Sequence, residues 1–302
     1  MAVVVAYHPD FAVLDELLQS LSRQVIHTYL IDNSAHDDFR VQEWFGSTTR
    51  KDVSLIRLGS NRGVATALNA GIRIARAAGA THVLLSDQDS LPPPDMVSGL
   101  LTAARSLGDE ARVAAVGPVF INRRTGMTHP FQHPVPGWMA YKHALPTPES
   151  PVVETLTLIT SGSLVSIAAL NDIGEMRDDL FIDYVDTEWC HRARHRGWRI
   201  YGTCLAKMTH DMGDAALRVW LFGWRNEMDY SPERVYYRVR NFVALYRMPH
   251  IEFRFKIRHA RFFLGDIYSQ VFFGTQRRKA LRMTLKGLRD GINGHLGPYP
   301  SR

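Results

Sequence analysis

The chain holds only two cysteines, Cys190 and Cys204, in 302 residues. Two thiols cannot build a disulfide framework or an all-cysteine zinc site, and they fit a reducing compartment. No run of about 18 apolar residues occurs, so no membrane-spanning helix is expected. The apolar start, Met1 to Tyr7, has no basic region before it and is cut by Pro9-Asp10. It reads as a buried strand and not as a signal peptide. Repeats and low-complexity segments are also missing, and the composition excludes a disordered chain, a collagen-like repeat and a coiled coil. With 45% hydrophobic and 22% charged residues, the composition is that of a globular protein with a sizeable core.

Positive charge is concentrated at one end. Residues 218–302 carry 17 Lys and Arg against 6 Asp and Glu, whereas residues 1–217 carry 19 against 24. A slightly acidic body with a basic tail suggests two roles. The tail should meet something anionic: a membrane surface, a nucleic acid or a phosphorylated ligand.

Short β-branched or aliphatic runs mark buried strands at Val3–Tyr7, Tyr29–Ile31, Val53–Leu58, His82–Leu85 and Val113–Val119. Between them, Asp10–Arg23 places Leu14, Leu17, Leu18 and Leu21 at helical spacing. A long helix opens at Asn61-Arg62-Gly63 and stops at Gly79. Asp95 reads as the N-cap of another helix. This alternation predicts an α/β fold with a mostly parallel sheet and helices on both faces. In such sheets ligands bind beyond the carboxyl ends of the strands, where Asp32, Asp87 and Asp89 fall. Residues 122–154 read as an irregular connection with room for a hairpin. Leu156–Ile167 reads as a strand with a close backbone approach at Gly162. Asp183–Arg196 reads as a helix, acidic at its start and basic at its end, and the chain from Arg218 reads as mainly helical.

Several residues could carry chemistry. Asp87 and Asp89 form either a plain turn or a hard-oxygen pair for Mg2+ or Mn2+. Asp183, Asp186 and Glu188 either cap a helix or include a general base beside Trp189. His210, flanked by acids, is a surface imidazole or a metal ligand. Asn61-Arg62-Gly63 is an ordinary helix start or one that faces a phosphate. Tyr236-Tyr237 with Arg238, Arg240 and Asn241 could bind phosphate or sugar, or simply form an amphipathic helix.

Taken in order, these segments resemble the family 2 glycosyltransferases of the GT-A (Rossmann-like) fold. The donor half is carried by Val3–Tyr7, Ile31-Asp32-Asn33-Ser34, Asn61-Arg62-Gly63-Val64-Ala65 with Ala67, Asn69 and Gly71, and Leu85-x-Asp87-Gln88-Asp89. The acceptor half is carried by Ile159-Thr160-Ser161-Gly162, Ile173-Gly174, Phe181 to Cys190 with Arg192, and His210-x-x-Gly213. Tyr236-Tyr237-x-x-Arg240-Asn241 extends the likeness, which covers about residues 3–245 and is strongest to the bacterial rhamnosyltransferase branch. Many relatives have Thr-Tyr/Phe-Asn where this chain has Ala6-Tyr7-His8-Pro9.

The resemblance implies a GT-A catalytic domain over 1–217, with a donor half of about 1–120 and an acceptor half of about 121–217, and a helical basic extension over 218–302. It implies an inverting hexosyltransferase that uses a nucleotide-diphosphate sugar, dTDP-rhamnose in the branch it resembles, with galactofuranosyl transfer as the alternative. The acceptor would be a growing bacterial surface glycan or a lipid-linked glycan. That places the enzyme in the cytoplasm or on the cytoplasmic face of the inner membrane, with no nucleic acid partner. Tyr7, Asp32, Arg62, Asp87 and Asp89 would meet the donor, and Asp89 and His210 a divalent cation, Mg2+ or Mn2+. Asp186 would be the base. Asp183, Glu188, Ser161, Gly162, Trp189 and Arg240 would be acceptor contacts or reserve acids. Two other readings compete. A sugar nucleotidyltransferase lacks support, because Tyr7-His8-Pro9-Asp10 is no Gly-rich basic loop. A non-enzymatic basic adaptor leaves the ordered acids unexplained.

Overall fold

A computed structural model describes residues 1–122, 126–210, 216–220 and 223–299. The first part runs β1 (Ala2–Ala6), α1 (Phe11–Ser22), β2 (Thr28–Asp32), α2 (Arg40–Gly46), β3 (Val53–Arg57), α3 (Gly63–Ala77), β4 (His82–Asp87), α4 (Met96–Ser106) and β5 (Val113–Asn122). The middle adds a hairpin of β6 (Phe131–Pro134) and β7 (Tyr141–Ala144), then β8 (Val152–Glu154), β9 (Ser163–Ser166), α5 (Ile167–Ile173), α6 (Val185–His195) and β10 (Arg199–His210). A separate hairpin, β11 (Ala216–Trp220) and β12 (Trp224–Met228), leads to α7 (Pro232–Tyr246), α8 (Phe253–Phe272) and α9 (Arg277–Asn293).

Eight strands form one sheet in the order β3-β2-β1-β4-β9-β5-β10-β8. Strands β1 to β4 are mutually parallel, as are β5 and β10, while β9 and β8 run antiparallel to their neighbours. The predicted mostly parallel sheet is therefore present. Strand β1 shows why it reads as a continuous apolar run. Val3 and Val5 enter the core on one face, and Ala2, Val4 and Ala6 enter the core on the other. Helix α1 closes the second face with Leu14, Leu17, Leu18 and Leu21 fully buried, and the Asp10 side chain caps it by accepting from the Ala12 and Val13 amides. Each such leucine contributes about 1.5–3 kcal/mol of burial.

Asp95 stands at the N-cap position of α4 as expected, though its side chain makes no capping bond. Three local expectations are corrected. The strand expected over Leu156–Ile167 is shortened to Ser163–Ser166, because Gly162 takes φ +77° and Ile167 begins a helix capped by Ser166. The helix expected from Asp183 starts at Val185, since Asp183 and Tyr184 have φ of +60° and +64°. The tail turns helical only at Pro232, after a β-hairpin.

Candidate active site

The carboxyl ends of β1, β2 and β4 lie side by side, so the residues after them share one rim. Tyr7, just after β1, is clasped by Gln88. The Tyr7 amide donates to Gln88 Oε1 at 2.7 Å, and the Tyr7 carbonyl accepts from Gln88 Nε2 at 3.2 Å. The ring of Tyr7 stays exposed on the rim. At the end of β2, Asp32 is 1% exposed. One of its oxygens accepts the Ser34 amide at 3.0 Å and the other pairs with Arg57 Nε at 3.2 Å. Arg57 in turn donates to the carbonyls of His36 and Asp38 and lies 4.7 Å from the Phe39 ring. Asp32 therefore acts on the loop beyond β2 through Arg57. Aligned strand ends explain the pairing, since Asp32 and Arg57 are register partners.

Asn33 joins this loop to the start of α3. Its Oδ1 accepts the Arg62 amide at 2.8 Å, and its Nδ2 donates to Asn61 Oδ1 at 3.1 Å. The Arg62 guanidinium is left exposed, with a contact of 3.4 Å to Ser60.

Asp87 closes β4. Its amide donates to Ser161 Oγ at 3.2 Å, Ser161 also hydrogen-bonds Ser90, and the Gly162 amide donates to the Leu85 carbonyl at 2.8 Å. Ser161 is buried. Ser161 and Gly162 are thus struts that bring the 160–162 loop against the acids, rather than exposed acceptor contacts. Burial pushes the Asp87 carboxyl up to about 7; the negative charges of Asp89 and Asp186 add to this, and Arg234 opposes it. Three carboxylates from two distant segments therefore act on one another. Asp89 is exposed on the rim.

Asp186 lies in the first turn of α6 and is partly buried. Its carboxylate accepts the Thr187 amide at 2.6 Å and a backbone hydrogen bond from Thr160. Burial raises its pKa, the Asp183 charge adds to the rise, and the hydrogen bonds temper it. Such a carboxylate holds a proton more readily than an exposed one, as a general base requires.

The neighbouring acids are committed elsewhere. Asp183 is paired with Arg234 at 3.2 Å and Arg238 at 3.4 Å. Glu188 is fully buried between Arg192 and His250, each at 2.9 Å. Burial pushes Glu188 up, but His250 and Arg192 outweigh it and hold the carboxyl below the usual range. Trp189 and Arg240 are corrected as acceptor contacts because both are buried. Trp189 Nε1 donates to the Gly174 carbonyl at 2.9 Å. Arg240 donates to the carbonyls of Leu180 at 2.9 Å, Asp179 at 3.3 Å and Gly297.

Arg240 acts with Asn241 as a clamp. Asn241 Nδ2 faces the carbonyls of Leu180, Ile182 and Asp183 at 2.8, 2.7 and 3.0 Å. These bonds hold a loop in which Phe181, Asp183 and Tyr184 all have positive φ, a conformation that costs about 1–2 kcal/mol per non-glycine residue. The loop also accepts the Val64 amide on the Phe181 carbonyl at 2.8 Å. One loop is thus held by α3 and α7, and it delivers α6 with Asp186 at its start.

Asp87 and Asp89 fit a hard divalent cation by donor chemistry, since both offer carboxylate oxygens at the end of β4. Among the described residues, no cluster of three metal-ligating side chains closes on one point. The backbone of His210 ends β10 opposite Asn122, and its imidazole lies outside the described residues, as does Gly213. The sequence alone assigned no role to Arg57, Gln88 or Arg234. The first could have been found from the aligned strand ends; nothing in its surroundings marks Arg234, which comes from α7.

A sheet of this order, with acids at the strand ends and Asp186 in the first turn of α6, is the GT-A architecture of sugar-transferring enzymes. Residues 2–164 match Glycosyl transferase family 2. The chain is 32% identical over 298 residues to dTDP-rhamnosyl transferase RfbF of Shigella flexneri, covering 98% of this chain and 96% of that protein. Among solved structures, GalNAc-T7 with UDP, GalNAc and Mn2+ aligns at TM-score 0.56 and 13% identity, over 97% of this chain and 57% of that one. The mannosyltransferase PcManGT of Pyrobaculum calidifontis with GDP-Man and Mn2+ aligns at TM-score 0.54 and 18% identity, over 97% of this chain and 74% of that one. An S. aureus TarS fragment with UDP-GlcNAc aligns at TM-score 0.55 and 17% identity, over 97% of this chain and 80% of that one. The chain belongs to glycosyl transferase family 2. It is a glycosyltransferase, which sets aside the nucleotidyltransferase and adaptor readings.

Proposed function

We propose that this enzyme transfers L-rhamnose from dTDP-L-rhamnose, with inversion, to a hydroxyl of a bacterial surface glycan or its lipid-linked precursor. The observation that carries the reading is that the 160–162 loop joins the Asp87 strand end to Asp186, through Ser161 and Thr160, together with near full-length similarity to a dTDP-rhamnosyl transferase.

Asp186 takes the proton of the acceptor hydroxyl as that oxygen bonds to the anomeric carbon. The bond from that carbon to the diphosphate breaks, and its electron pair leaves with the nucleoside diphosphate. Attack from the face opposite the leaving group gives inversion in one step, with no carboxylate nucleophile. Asp89 and Asp87 would hold a divalent cation, with His210 as a further ligand, and the cation would offset charge on the leaving diphosphate. Arg62, at the exposed start of α3, faces the donor's phosphates or base. Asp32, through Arg57, and Tyr7 shape the base pocket. In this reading residues 1–217 form the catalytic domain and 218–302 an extension that supports and flanks it.

The same proposal includes binding to an anionic membrane surface. No helix among the described residues is long and apolar enough to cross a membrane. On α8, Phe255 and Phe263 pack inward while Phe253, Leu264 and Phe272 are exposed beside basic residues. This division supports both packing and a surface role. Co-sedimentation of the full chain with anionic vesicles, but not with neutral ones, is the expected result; no sedimentation with either leaves the exposed rings without a lipid role.

The function is tested by thermal shift and by release of nucleoside diphosphate, using dTDP-L-rhamnose and UDP-galactofuranose with Mg2+, Mn2+ or EDTA. The dTDP sugar should stabilise most. EDTA or Asp89→Ala should abolish turnover. Full activity in EDTA would remove the metal roles, and preference for the UDP sugar would overturn the donor.

A further inference from the structure

A second concave site reaches the catalytic loop from the side of the C-terminal helices. A cavity of about 260 Å3 opens between β12, α7 and α8, and Tyr184, next to the head of α6, forms part of its wall. Tyr184 Oη and His259 Nε2 are 3.2 Å apart there. Arg238 bonds Asp266 at 2.6 Å and reaches Asp183 at 3.4 Å. Glu227 of β12 and the ring of Tyr230 line the same space. Arg225, Arg261 and Phe262 are exposed and mark its mouth. Neither Arg225 nor Arg261 forms an ion pair among the described residues.

This lining decides between ligand classes. An apolar ligand would strip water from several charged groups and return nothing. A strongly anionic ligand would satisfy the arginines but meet Glu227 and Asp266. A polyhydroxylated ring suits all of them. Its hydroxyls donate to the carboxylates and accept from the guanidiniums, and its C–H face can lie on Phe262. The volume is below the roughly 300 Å3 at which pockets for drug-sized ligands begin, which suits one sugar unit rather than a chain.

We propose that this cavity is an acceptor-side subsite that binds one neutral pyranose unit of the glycan, beside the hydroxyl presented to Asp186. The assignment rests on the glycosyl-transfer reading above. Tyr184 of the wall is two residues from Asp186, and Arg238 of the lining reaches Asp183 at 3.4 Å, so the cavity adjoins the segment that leads into α6. Every residue of the lining lies beyond residue 164, where the match to the family ends. A site of acceptor selectivity is thus built from the part of the chain that the shared donor fold does not require.

Saturation-transfer NMR on the full chain tests this, with the methyl α-glycosides of L-rhamnose, D-glucose, D-galactose and N-acetyl-D-glucosamine as probes. At least one glycoside should receive saturation, and Phe262→Ala, Arg261→Ala and Glu227→Gln should each weaken that binding at least fivefold. The first two positions are exposed and the third change keeps the side-chain shape, so circular dichroism should confirm folded variants. Absence of signal from all four glycosides, or undiminished signal in the three variants, overturns the assignment. Failure of the transfer reading has a different signature: wild-type protein that no nucleotide sugar stabilises or loses to turnover.

Discussion

Asp186→Asn preserves the shape of the side chain but cannot accept the acceptor's proton. With Asp186 as general base, kcat should fall by roughly 10²–10⁴ while donor affinity changes little. Steady-state kinetics beside a donor thermal shift measures both, and unchanged kcat would move the base to Asp183. That acid has two arginine partners, so the geometry argues against it. Glu188 separates structure from chemistry. Glu188→Gln leaves Arg192 without its buried counter-charge and weakens the contact to His250, which should cost about 3–5 kcal/mol of stability. Denaturant melts check the loss, and activity per folded molecule should stay near wild type.

Helix α3 is positioned by its first residue. Gly63 has φ +82°, and a Cβ there would lie 2.5 Å from the Phe181 carbonyl oxygen. Gly63→Ala should therefore destabilise the protein by more than about 2 kcal/mol, through left-handed strain and the clash together. It should also lower kcat, because the displaced loop leads to Asp186. A melting curve and turnover measured on the same sample test this; a neutral result on both would mean that the loop yields freely. The segment before this loop gives meaning to a motif in α3. Asn69 bonds the Met176 backbone in both directions, at 2.8 and 3.0 Å, and Asp178 at 2.7 Å. A residue that reads in the sequence as a family mark is, in the fold, a strut to the chain that leads into the Phe181–Tyr184 loop.

Across the whole molecule, buried imidazoles tie stability to pH. Burial pushes His191 down to about 3 and His259 down to about 4, so both are neutral in the fold at pH 6. The unfolded chain protonates them near pH 6.5. Below that value the unfolded state binds more protons, and stability is lost as pH falls towards the folded pKa values; above it the contribution is fully present. His191 alone should add a slope of ~1.4 kcal/mol per pH unit between about pH 6 and 4. Urea melts at successive pH values measure it, and His191→Leu should flatten the curve by one proton. An unchanged slope would mean that this imidazole is charged inside the fold. Its ring lies 4.2 Å from Phe255.

The strands, the parallel sheet and the acids at its carboxyl ends were legible in the sequence, because the continuous apolar run of β1 and the helical spacing in α1 and α3 are local patterns. Tertiary structure alone decided which acids are free. Asp183, Asp186 and Glu188 are near neighbours in sequence and look alike there. Arg234 and Arg238 come from α7, and His250 lies before α8, some 50 to 60 residues away. Long-range pairing of that kind leaves no local pattern. The strained loop was hidden for the same reason: Phe181, Asp183 and Tyr184 take positive φ in a loop whose Leu180, Ile182 and Asp183 carbonyls are held by Asn241, with Arg240 also on Leu180. The sequence thus determined where charge collects, and packing determined which charge remains uncompensated.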